Sequence, residues 1–270
     1  MTITVLSAAL AIASGCAIGT ILALIGGGGS ILAVPLLVYV VGVPEPHVAI
    51  GTAAIAVALN AALGLGVHAQ RGTVLWRCGL IFAASGIVGS AMGAALGKSI
   101  DGRRLLALFG LLMIGVGINM VRPLIKPAAA ARTPETIPAS ELTARLLAAG
   151  LAVGLLAGFF GIGGGFLIVP GLMVAAGMPI LNAIGTSLVG VTAFGLTTTA
   201  SYAASGLVDW PLAALVVLGG LAGSQIGSRA NALLGQDLKT LTQLFAGLII
   251  AVGAAVVAKG LPALVTAVAG

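Results

Sequence analysis

Side chains able to do covalent chemistry are scarce in this chain. Its 270 residues include two histidines, two cysteines and six carboxylates. No H-E-x-x-H, no G-x-S-x-G and no pair of aspartates falls within an apolar stretch. What could act on a solute is backbone. GGGGSILAVP (26–35) and GIGGGFLIVP (161–170) each place a run of glycines directly before apolar residues and a proline. Glycine is among the poorest helix formers, so each run breaks whatever helix it interrupts. The N–H groups that open the next helical piece then lack partners and carry partial positive charge, which suits an anion. The candidate contacts are Gly27, Gly28, Gly29, Ser30 and Pro35 in the first run, and Gly163, Gly164, Gly165 and Pro170 in the second. No Lys-Ser or Lys-Thr follows either run, which excludes a nucleotide loop. The chain reads as a non-enzyme, with no catalytic residue, metal site or cofactor expected.

Hydroxyls and one amide could complete such a site. Thr52 and Thr186 each follow an Ile-Gly pair, and Ser187 stands beside the second. Asn60 lies two turns after Thr52, and a buried amide demands partners. Tyr202 closes a hydroxyl-rich stretch that includes Thr197, Thr198, Thr199 and Ser201. Acidic groups matter by their absence, because all six (Glu45, Asp101, Glu135, Glu141, Asp209, Asp237) fall between apolar segments. A carboxylate at mid-membrane usually marks proton or sodium coupling. A site without one favours an anion over a cation.

The elements that must hold these residues are membrane helices. Charged residues make up 7% of the chain, against roughly 25% in soluble domains, and mean hydropathy is +1.23. Apolar segments run at 3–25, 30–42, 47–69, 74–97 and 105–121, then at 142–160, 165–177, 180–203, 211–228 and 241–258. The expectation is an all-α polytopic membrane protein set in the lipid bilayer. The net charge of +6 comes from basic residues at segment ends, where orientation signals belong. No basic stripe with interleaved aromatics exists, so nucleic acid is not expected as a partner. Cys16 and Cys78 sit in apolar surroundings without metal-ligand spacing and read as buried thiols. A homodimer is one expected assembly.

The two sets of segments are copies. Pro170 follows Pro35 by 135 residues, and Gly42-Val43-Pro44 matches Gly177-Met178-Pro179 at the same offset. AIGTA (49–53) then matches AIGTS (183–187) at 134 residues, as do Gly72 with Gly206, Trp76 with Trp210, and His68 with Tyr202. The expected domains are a first repeat (1–121), a Pro-rich cytoplasmic linker (122–141) and a second repeat (142–270). Segments 30–42 and 165–177 would each span only about 20 Å as helices, too short for a hydrocarbon core of about 30 Å. They read as broken or re-entrant half-helices, with Pro35 and Pro170 either opening them or kinking them a turn later.

Loop charges bear on whether the copies are parallel or inverted. Inversion puts Arg71, Arg77, Arg122, Lys126, Arg132, Arg145, Arg229 and Lys239 on one face. A parallel arrangement divides the basic residues more evenly. Inverted repeats are therefore expected, with the linker cytoplasmic and both termini outside.

The paired GGGG-S-ILAVP and GIGGG-FLIVP elements, each followed by Gly-x-Pro and Ile-Gly-Thr, resemble the sulfite exporter TauE/SafE family of bacterial membrane transporters. The resemblance covers about residues 5 to 258. It implies transport of sulfite, sulfonates or related organic anions across the cytoplasmic membrane, with Gly28, Gly29, Pro35, Gly163, Gly164 and Pro170 forming the central element. The chain departs from its own symmetry in carrying Ser30 where the second copy has Gly165. The expected function is a secondary transporter of a small sulfur-containing anion. A channel of the same architecture is the alternative.

Overall fold

In hydrocarbon a backbone must pair its own polar groups, and an apolar run does so most simply as a helix. The computed structural model describes residues 4–25, 27–121, 137–234 and 238–268. Among these it contains helices and turns and no strand. The helices are α1 (Val5–Ile25), α2 (Ala33–Tyr39), α3 (Pro46–Gln70), α4 (Trp76–Lys98) and α5 (Gly102–Val121), followed by α6 (Ala139–Phe160), α7 (Gly165–Ala176), α8 (Ile180–Ala203), α9 (Trp210–Leu234) and α10 (Leu238–Val268). Six stretches are long and apolar enough to cross a membrane: Val5–Ala23, Pro46–Gln70, Trp76–Lys98, Ala139–Phe160, Ile180–Ala203 and Trp210–Gly227. The chain is thus an all-α, multi-pass membrane protein. Most of the expected linker lies outside the described residues.

Helix directions follow from which residues meet. A Cβ on Gly150, Gly154 or Gly158 would collide with the carbonyl oxygen of Phe82, Gly86 or Ser90 in turn, so α6 and α4 run parallel. In the same way Gly219, Gly223 and Gly227 press on the carbonyls of Ile12, Cys16 and Thr20, so α9 and α1 run parallel. Small residues let these backbones touch, which replaces the hydrophobic drive that lipid removes. The corresponding helices of the two halves are antiparallel. Gly195, late in α8, lies 2.8 Å from Ala58 by its absent Cβ, while Gly185, early in α8, faces His68 at the far end of α3. Likewise Gly260 meets Ala107, and Gly253 meets Gly110, across α10 and α5.

These directions describe an inverted relation between the halves and are consistent with an internal duplication. The symmetry extends to single contacts. Gly15 and Gly19 meet the carbonyls of Val216 and Gly220 just as Gly150 and Gly154 meet those of Phe82 and Gly86.

The bundle has two faces. The ends of α3, α5 and α7 and the starts of α4, α6 and α8 share one, with Arg71, Arg77 and Arg145. The starts of α3 and α9 and the ends of α4 and α8 share the other, with Lys98, Arg103 and Arg104. Lys259, whose ammonium sits 4.5 Å above the Tyr39 ring at the end of α2, belongs to the second face. Residues 122–136, Glu135 among them, and Asp237 lie outside the described residues.

Two outcomes are expected. Reporter fusions in the linker and at the C terminus should report opposite sides of the membrane. Replacing Gly223 by Leu, against the Cys16 carbonyl, should cost about 3 kcal/mol or more as overpacking and lower the detergent-solution melting temperature. Gly66→Ala, which meets nothing within 4 Å, should leave that temperature unchanged.

Candidate functional site

The second glycine run forms a tight reversal. α6 stops at Phe160, and Gly161, Gly163 and Gly164 all take left-handed backbone, with φ of 66°, 64° and 70°. Side-chain-bearing residues pay a steric penalty in that region, so the glycines here are a backbone requirement. Gly161 presses on Ile50 near the start of α3. Two residues on, a Cβ on Gly163 would sit 3.3 Å from Val57 and 3.5 Å from Val191, at the middles of α3 and α8. The chain therefore folds back into mid-depth before α7 begins. α7 then retraces α6, with Gly171 facing Val153.

The reversal leaves donors over. Ile162 N–H donates to the Ala157 carbonyl, and the first bonds of α7 run from Leu167 and Ile168 N–H to the Gly164 carbonyl, both at 2.9 Å. The amides of Gly163, Gly164, Gly165 and Phe166 take no part in the backbone bonds of this turn. Pro170 lies inside α7 rather than at its first position, so it also deprives the Phe166 carbonyl of its helical partner.

The first run differs. Gly27–Leu32 winds as a 3-10 segment that feeds directly into α2, and Pro35 is the third residue of that helix. The expected helix at 30–42 is thus a 3-10 piece and a seven-residue α-helix, because four glycines and a proline cannot sustain a longer one. Gly29 packs against the backbone of Ile18 and Leu22 in α1, and Ser30 is buried and partnered. The 3-10 segment packs on both α7 and α8. Two hairpin tips, one from each half, meet in the protein interior. Gly27 and Gly28 belong to this 3-10 turn.

The expected hydroxyls divide into two groups. Thr52 and Thr186 are wholly buried and bind the opposite half: Asp209 N–H donates to Thr52 Oγ1 at 3.0 Å, and Leu75 N–H donates to Thr186 Oγ1 at 2.9 Å. Beside them Gly51 admits the Leu207 carbonyl, and Gly185 admits Thr73. Each Ile-Gly-Thr thereby docks the loop that starts α9 or α4, a cross-brace that a linear reading does not reveal. Ser187 donates back to the Ile184 carbonyl at 2.7 Å.

Asn60 and Tyr202 are different. Asn60 is 5% exposed and Tyr202 fully buried, and neither Asn60 Nδ2 nor the Tyr202 hydroxyl has a partner. An unpaired buried polar group costs roughly 1–3 kcal/mol, which makes both groups candidate contacts for a solute. Ser14 Oγ, His47 Nδ1 and Thr198 Oγ1 are also unpartnered. Ser14 and His47 belong to no motif that marks a solute contact. His68 Nδ1 bonds Thr73 Oγ1 at 2.9 Å.

Three of the described carboxylates are engaged at helix starts. Asp101 accepts from the amides of Arg103 and Arg104, Asp209 accepts from Leu212, and Glu141 pairs with Arg145. Among the described residues no group of His, Cys, Asp and Glu could hold a metal ion.

Comparison with known proteins agrees with this architecture. Residues 11–256 match the family described as Sulfite exporter TauE/SafE. The chain belongs to that family. A probable membrane transporter protein of Xylella fastidiosa (strain Temecula1) is 45% identical over 262 residues, covering 97% of this chain and 99% of its own. The probable membrane transporter proteins YunE and YdhB of Bacillus subtilis are 29% and 30% identical, covering 90% and 86% of this chain and 94% and 96% of theirs. No solved structure matches. As a TauE/SafE member with such relatives, the protein is a multi-pass bacterial membrane transporter.

The cross-brace gives a prediction. Thr186→Val should strand the Leu75 N–H and cost about 1–3 kcal/mol, read as a lower melting temperature. Thr186→Ser, which keeps the acceptor, should recover most of it.

Proposed function

We propose that this TauE/SafE protein is a secondary transporter that moves a small sulfur-containing anion, sulfite, a sulfonate or a related organic anion, across the cytoplasmic membrane. The reading rests on one observation: a broken turn at mid-depth presents the amides of Gly163, Gly164, Gly165 and Phe166 without turn partners, and the hairpin tip of the other half packs beside it. Amide donors at the start of a helix attract negative charge, and irregular backbone survives at membrane depth only when sheltered by protein or facing water. Gly27, Gly28, Gly29, Ser30 and Pro35 supply the opposing tip, and Pro170 lies inside the helix that follows the second break. Asn60 offers an amide donor, and Thr52, Thr186, Ser187 and Tyr202 border the route.

Alternating access follows from the two-part construction. Each half contributes one hairpin to the centre, and the halves interlock through α4–α6, α1–α9, α5–α10 and α3–α8, so alternation is a movement of these interlocked pairs about the central tips. The anionic cargo meets dipoles rather than fixed charges. It is thus held firmly enough to be selected and loosely enough to leave.

The test is counterflow in proteoliposomes with sulfite, thiosulfate, sulfoacetate, taurine and plain carboxylates as competitors. Saturable counterflow with competition by sulfur oxyanions is the expected result, and Asn60→Leu should lower it about ten-fold for loss of one hydrogen bond to charge. Flux that neither saturates nor shows counterflow would point to a channel. Absence of any anion flux would overturn the reading.

A further inference from the structure

On the face opposite the linker, three side chains from three helices converge where none of the backbone features above requires them. Lys98, the last residue of α4, donates from Nζ to the Ser201 carbonyl at 2.8 Å and to Ser205 Oγ at 3.0 Å. Its ammonium also stands 5.8 Å from the centre of the Tyr202 ring. The His47 ring, at the start of α3, lies 6.2 Å from the Tyr202 ring, and its Nε2 is 3.1 Å from the Ile100 carbonyl oxygen.

The lysine alone has a structural explanation, since a cation suits the C-terminal end of α8. The two rings do not. A carbonyl can only accept, so His47 Nε2–H donates to Ile100, and Nδ1 of the neutral ring is left as a buried acceptor with nothing to accept from. The Tyr202 hydroxyl is a buried donor with nothing to donate to. Apolar replacements of the same shape would remove both costs, yet both are present within one ring-to-ring contact and beside a positive charge. Among the described residues Lys98 forms no ion pair, and Asp101, three residues on, accepts from the amides of Arg103 and Arg104.

We propose that Lys98, Tyr202 and His47 form a second, peripheral oxyanion station at this face, a docking point between bulk water and the central site. The occupant is a small sulfite- or sulfonate-class oxyanion. One of its oxygens accepts from the Tyr202 hydroxyl, the Lys98 ammonium balances its charge, and a water bound between the anion and the ring donates to His47 Nδ1. The arrangement joins the central site in a natural way. Long side chains on a helix lean toward its N terminus, which for Tyr202 is the direction of mid-depth and the hairpin tips. The inference rests on the reading of the chain as an anion carrier and shares Tyr202 with it, whereas Lys98 and His47 belong to the station alone.

The test is titration calorimetry of the full-length protein in detergent with sulfite and with methanesulfonate. It compares wild type, Tyr202→Phe, Lys98→Gln and Gly164→Leu, the last blocking the mid-depth turn. The expected result is an exchange in which Tyr202→Phe and Lys98→Gln each weaken binding about ten-fold, as for one lost hydrogen bond to charge. Gly164→Leu should retain the step that those two substitutions weaken. Binding indifferent to both Tyr202→Phe and Lys98→Gln would overturn the station, as would no binding of either probe to wild type. Should Gly164→Leu fail to fold, the Tyr202→Phe and Lys98→Gln comparison in the otherwise intact protein still decides. Wild-type protein that shows no flux in proteoliposomes, yet binds through Tyr202 and Lys98, would sink the transport reading and leave the station standing.

Discussion

Inside a bilayer, a backbone amide without a partner has no water to fall back on, and each one exposed to lipid costs several kcal/mol. That constraint organises this molecule. Glycine runs that break α6 from α7 and α1 from α2 are intolerable at a lipid surface, so everything around them serves as cover. α3 over residues 49–61 and α8 over residues 183–191 are largely buried and wall the breaks from two sides. The remaining long helices stand outside them, with large apolar side chains such as Leu80, Met92, Leu218 and Ile226 turned outward. The architecture is a shelter built around two faults.

Holding that shelter together is a packing problem, because lipid is as apolar as the helices it must be kept from entering. The solution is backbone contact. α4 lies on α6, and α1 on α9, through glycines whose missing side chains let one helix rest on the carbonyls of the next. Both pairs join a helix of one half to a helix of the other. The Ile-Gly-Thr braces do the same with hydrogen bonds, Thr52 to Asp209 and Thr186 to Leu75. Neither half closes its own core. This interlocking gives the centre two independent walls that remain one body.

Much of this was legible in the sequence, because the signals were long or repeated. Uninterrupted apolar runs located the helices closely: 180–203 coincides with α8, and 76–98 differs little from the expected 74–97. The pairing of GGGGSILAVP with GIGGGFLIVP located both breaks. Basic residues at loop ends favoured inversion, and the antiparallel courses of α3 with α8 and α5 with α10 agree with it. What could not be read was contact across the halves. Nothing in Ile-Gly-Thr announces that its hydroxyl will accept from an amide in the loop before α9 or α4. Nor does a lone histidine after Pro46 announce that one nitrogen will be spent on Ile100 and the other left bare. Such facts depend on which ends of distant helices share a face, and periodicity carries no information about that.

The two halves are alike in course but not in chemistry, and the difference bears on function. The second break uses three left-handed glycines, while the first is wound as 3-10 helix and ends in Ser30 and the short α2. Where Asn60 rests on Gly220 with an unpartnered amide, the matching place rests Phe194 on Gly86, with Phe194 stacked on Phe82 at 5.9 Å. A symmetric pore would offer a solute the same partners on both approaches. Here one flank of the centre is polar and unsatisfied, and the other is aromatic and closed. An inverted duplication supplies two equivalent conformations by exchange of roles between its halves. Under the proposed alternation, residue differences of this kind would make the two conformations unequal in energy and in what they bind.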